Sequence, residues 1–157
     1  MGSLGASFYQ STFMTPLDRN PISRAWFFMN KANESTVEQI FEFESYIEAS
    51  IVFARSAILR MMRQHGYKKN KLFTEWLNSI IENPSIKFTK KNRDDILKEK
   101  PLIIGQIISF SQPTHARSLY YFNIDDQGNP LNPILTLIEH LAEIQRILKY
   151  ADDNFIQ

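Results

Sequence analysis

Few side chains in this sequence could do chemistry at neutral pH. There are three histidines, His65, His115 and His140, and no cysteine. The missing thiols exclude disulfides, thiolate nucleophiles and cysteine-bound zinc. Only His140 and Glu143 have helical metal-ligand spacing, and a carboxylate-bundle centre needs that pair twice. No metal and no cofactor are therefore expected. Arg60 and His65 spell Arg-x4-His, but on a helix they point about 140° apart. They share a face only if the helix ends between them, as Gly66 would allow. No G-x-S-x-G elbow activates a serine, and the glycines are isolated rather than grouped into a phosphate-cradling loop. The adjacent acids Asp94/Asp95, Asp125/Asp126 and Asp152/Asp153 diverge by about 100° on a helix, so they read as caps or solvated charge. No catalytic set is complete.

The basic residues form a stronger pattern. Lys87, Lys90, Lys91, Arg93, Lys98 and Lys100 crowd into one short stretch, and Arg60, Arg63, His65, Lys68 and Lys69 could extend the same surface. The net charge is only +1, so a polyanion would have to be recognised by such a local patch rather than by an overall field. Few aromatics interleave the bases, and base stacking is not expected. A plainer account also exists. The acids Glu34 to Glu48 precede the bases Arg55 to Lys71, which complements a helix dipole. Asp94, Asp95 and Glu99 likewise offer helical partners to the neighbouring cations.

These residues must be positioned by helices. Twelve Phe, six Tyr and two Trp among 157 residues supply ample core, and the expected class is an all-α helical bundle with two long helices near residues 36–64 and 133–152. Ser35-x-x-Glu38 reads as a capping box opening the first. Ile40, Ile47, Ile51, Ala54, Ile58 and Met61 then form one stripe, and Phe43, Tyr46, Ser50, Phe53 and Ala57 a second. Two stripes mean a wide apolar face, as on a central bundle member. Shorter helices are expected over 71–82 and about 88–98.

Residues 102–110 and 118–124 are rich in β-branched and aromatic types and could pair as a small hairpin across Gln112 and Pro113. Asn132 followed by Pro133 announces the last helix. Residues 1–32, broken by Pro16 and Pro21, read as an N-terminal arm packing on a single domain of residues 33–157. Residues 1–7 have no charged and apolar leader pattern and no stretch is long enough to span a membrane, so the expected location is cytoplasmic.

Two segments carry a resemblance. Glu44–Ser56 (ESYIEASIVFARS) resembles the long helix of uncharacterised bacterial proteins of the HEPN superfamily, with its aromatic residue, Glu-Ala and Ala-Arg-Ser. Phe88–Leu102 (FTKKNRDDILKEKPL) resembles the segment holding that superfamily's Arg-Asn-x-x-x-His motif. The likeness spans roughly residues 36–155 in helix order. It implies a helical, homodimeric protein that binds nucleotides or cleaves RNA without metal, using the motif arginine and histidine of two subunits. Here Arg93 matches the arginine, Asp94 stands for the asparagine and Lys98 for the histidine. A lysine titrates ordinarily near 10.4, far from a neutral acid–base catalyst.

The expected function is therefore non-catalytic association with nucleic acid or a nucleotide. One alternative is a protein-interaction, assembly or antitoxin-like subunit using the apolar arm around Trp26. The other is a metal-independent ribonuclease using Arg93 with Lys98, or Arg60 with His65.

Overall fold

The computed structural model describes residues 20–36, 38–98, 105–112, 115–121, 129 and 131–155. Five helices and one hairpin follow in order: α1 (Pro21–Glu34), α2 (Ile40–Gln64), α3 (Lys71–Ile80), α4 (Pro84–Leu97), β1 (Gly105–Gln112), β2 (His115–Tyr121) and α5 (Pro133–Asn154). The molecule is an all-α bundle on two long helices, α2 and α5. Among the described residues no helix is long and apolar enough to cross a membrane.

The segment expected as an arm contains a full helix of the bundle. Pro21 starts α1 rather than breaking it, because proline at the first helical position gives up an N–H that would be unpaired anyway. The Asn20 side chain accepts from the Ile22 N–H and completes the cap. Ile22, Ala25, Met29 and Ala32 recur at helical spacing and are buried. Small residues on both partners let α1 and α2 approach closely, so that the Ser50 hydroxyl donates to the Ala25 carbonyl at 2.7 Å. Residues 1–19 of the expected arm lie outside the described residues.

α2 begins at Ile40, four residues later than expected. The Ser35 hydroxyl donates instead to the Lys31 carbonyl, and its N–H bonds the Ala32 carbonyl, so this serine ends α1. The stripe expectation holds: Ile47, Ile51, Ala54, Ile58 and Met61 are buried, as are Phe43, Ser50 and Ala57 of the second stripe. Gly66 stops the helix in a left-handed conformation, φ +70°.

α4 starts at Pro84, not near 88, because Asn83 both follows α3 and caps α4 by accepting from the Ser85 N–H. In α5, the Asn132 side chain accepts from the Ile134 and Leu135 N–H groups, and Leu137, Leu141, Ile144, Ile147 and Ala151 face the core. All five helices contribute to one buried cluster, α3 through Phe73 and Leu77. β1 and β2 pair antiparallel, Gly105 opposite Tyr121, with an irregularity between Phe110 and Gln112. This hairpin matches the small extended segment expected near 102–124.

Candidate nucleic-acid interface

α4 lies against α2 and α5 through one side only. Ser85, Ile86 and Thr89 are buried, while Lys87, Lys90, Lys91 and Lys98 are exposed. The helix therefore presents its lysines outward while Ile86 and the partly buried Phe88 and Ile96 pack on the core. Lys87 is ion-paired with Glu82 across the α4 N-terminus. Lys98 ends the helix, its N–H bonding the Asp94 and Asp95 carbonyls. Lys100 lies outside the described residues.

Behind the lysines sits a tighter electrostatic group. The Arg93 Nη1 donates to the Asp94 carboxylate at 2.8 Å, both side chains being about one-third exposed. That bond holds the Asp94 carboxyl below its usual range, assisted by the charges of Arg93, Lys98 and Arg55. Arg55 reaches this group from α2. Its half-burial pulls its pKa down, the neighbouring Asp94 opposes that shift, and Arg93 adds to it. Asp94 thus acts as a counter-ion shared between two guanidinium groups.

Sequence reasoning missed Arg55 as a site residue, using it only as a base matching the dipole of α2 and as part of Ala-Arg-Ser. The available signal was its place between Ala54 and Ser56 on a helix whose neighbouring positions face the core.

The remaining basic candidates lie on α2 and the turn after it. Arg60 is half-buried and Arg63 exposed, both on α2, with Arg63 at the rim of a groove near the helix end. His65 is buried, 8% exposed, between the Phe155 carbonyl oxygen (2.6 Å from Nδ1) and the Asp152 carboxylate (2.9 Å from Nε2). It is committed to the core side and is not part of an exposed cationic surface. Both ring nitrogens of His65 are thus taken up within the fold rather than offered to a site with Arg60.

His140 is likewise engaged. Its Nδ1 lies 2.8 Å from the Ser85 hydroxyl, and its ring stacks on Phe88 with centroids 4.0 Å apart. Burial pulls its pKa below 6.5, with Glu139 opposing. Glu143 accepts two bonds from Arg146 and one from Asn83, which hold its carboxyl below the ordinary range. The pair considered as metal ligands thus serves to fasten α4 to α5. Trp26, the centre of the apolar segment expected to pack on the domain or on a partner, is partly buried against the core and donates from Nε1 to Gln145 at 3.0 Å. Phe27 on α1 and Phe41 on α2 are more exposed, at 52% and 76%.

No protein-family model, curated protein or solved structure matches this chain.

Proposed function

We propose that the chain associates with RNA through the outer face of α4 and does not cleave it. The observation that carries this reading is the row of Lys87, Lys90, Lys91 and Lys98 on the solvent side of α4, with Arg93 and Arg55 behind it. A flexible row of ammonium groups meets phosphates as point charges, whereas the two guanidinium groups are partly occupied by Asp94.

The lysine at position 98 and the engagement of His65 and His140 support the non-catalytic part. Lysine stands at the position that the HEPN-like pattern gives to histidine, and both His65 and His140 are bonded elsewhere. In that reading the protein acts as a homodimer, as the resemblance implies. The test is incubation of the purified protein with a mixed RNA pool at low and moderate salt, with the RNA then recovered and sized. Salt-sensitive binding of intact RNA is expected. Shortened RNA would replace the reading with a ribonuclease, and no binding at low salt would remove it.

A second reading rests on Phe27 and Phe41, large aromatics left in water on α1 and α2. Such side chains can anchor a protein partner. The discriminating variant is Phe27→Ser with Phe41→Ser, because removing α1 would expose the buried faces of Ala25 and Met29. A co-purifying partner lost from that variant would favour this reading.

A further inference from the structure

The C-terminal flank of α2 and the turn after it form a groove of about 540 Å³. Leu59, Met62 and Tyr67 give it an apolar lining, with Ser56 at the end nearer the middle of the helix. Arg63 and Lys69 stand at the other end. Both are exposed, and among the described residues neither has an ion-pair partner.

The turn is built before any ligand arrives. Gly66 at φ +70° reverses the chain, and its carbonyl accepts from both the Lys69 and Asn70 N–H groups at 2.8 Å. Asn70 then caps α3 by accepting from the Phe73 N–H. Lys69 is thereby held beside the last turn of α2. Ser56 and Arg63 are two helical turns apart, so the apolar lining runs lengthwise and the charge lies at one end.

We propose that this groove binds a monomeric long-chain carboxylate, its alkyl body along Leu59 and Met62 and its head group between Arg63 and Lys69. A volume of this size suits a small ligand, and two cations without counter-ions at one end of an apolar channel call for an anionic head. The lining disfavours a nucleotide. The Lys68 ammonium already lies over the Tyr67 ring, 5.6 Å from its centroid, on a face where a base would otherwise stack. The proposal is independent of RNA association on α4.

The experiment is calorimetric titration of the full chain with dodecanoate below its micelle concentration. Saturable one-to-one binding is expected, with none for dodecyltrimethylammonium, which has the same chain and the opposite charge. In Arg63→Ala with Lys69→Ala the dissociation constant should rise about tenfold. Both residues are exposed, and a circular-dichroism melt matching the parent establishes that this variant is folded. Three results would each overturn the proposal: no saturable dodecanoate binding, unchanged affinity in the double variant, or displacement of bound dodecanoate by adenosine monophosphate.

Discussion

Nε2 of His65 lies 2.9 Å from a carboxylate oxygen of Asp152, a residue 87 positions further along the chain. Its other ring nitrogen, Nδ1, lies 2.6 Å from the Phe155 carbonyl oxygen. One imidazole therefore ties the end of α5 to the turn after α2. Phe155 is gripped at the same point, its ring 5.3 Å from that of Phe73 and 5.2 Å from that of Trp76. The weakly packed α3 is held to the bundle through these rings.

The two partners of this contact should respond unequally to substitution. His65→Ala removes both bonds and leaves a gap beside Phe73, so a loss of about 2–3 kcal/mol is expected. Asp152→Asn should lose less than about 1 kcal/mol, because the 68%-exposed Asp152 is already hydrated and asparagine can meet the ring nitrogen with its oxygen or its N–H. Urea unfolding followed by tryptophan fluorescence checks this. Equal losses in the two variants would mean that the ion pair, rather than the buried ring, holds the chain end.

This contact illustrates which parts of the fold could be read in the sequence. α5 was legible because its signals are local: Asn132 as cap, Pro133 as first residue and a sustained apolar stripe. α2 was legible in its two stripes but not at its start, where Ser35 had two competing partners. Its hydroxyl went backward to Lys31, and the capping-box pattern does not encode that choice. Pro21 posed the same ambiguity, since a proline marks a break or a first turn depending on whether the preceding residue caps. Arg55 and His65 were illegible for another reason. Their roles depend on Asp94 and Asp152, which only the packing of other helices brings near.

Acidification should loosen the junction of α4 and α5 through His140. Burial lowers the pKa of this histidine from 6.5, so the folded state binds its proton less readily than the unfolded chain does. The stability this contributes is complete above the unfolded value and is lost as pH falls through 6.5 towards the lower folded value. Urea midpoints at pH 7.5 and 5.5 should therefore differ, and the difference should shrink in His140→Phe, which keeps the ring beside Phe88 and cannot titrate. An unchanged difference in that variant would assign the pH dependence to other groups.

Lys90 and Lys91 are exposed, and no hydrogen bond or ion pair involves their side chains among the described residues. Replacing both with alanine should leave unfolding within about 0.5 kcal/mol of the parent. RNA affinity should nevertheless fall, and the slope of log affinity against log salt should drop by about 1.4, two single-strand phosphate contacts. Filter binding across a salt series measures both quantities. A weaker affinity with an unchanged slope would mean that these lysines do not touch phosphate.

Asp94 and Lys98 stand where the proposed HEPN-like pattern has asparagine and histidine. Asp94 now occupies Arg93 with a 2.8 Å bond and places negative charge beside it. Asp94→Asn keeps the side-chain shape, removes that charge and releases the guanidinium for a phosphate, so RNA affinity should rise. Lys98→His then supplies, five residues after Arg93, a group that titrates near neutrality and can move a proton. The double variant restores arginine, asparagine and histidine at the spacing of Arg-Asn-x-x-x-His. Cleavage of RNA in the presence of a chelator is expected from the pair together and from neither change alone. If the double variant binds RNA more tightly yet leaves it intact, the likeness does not extend to the geometry of a cleavage site. The α4 face would then stand as a binding surface on the physical grounds of its charges alone.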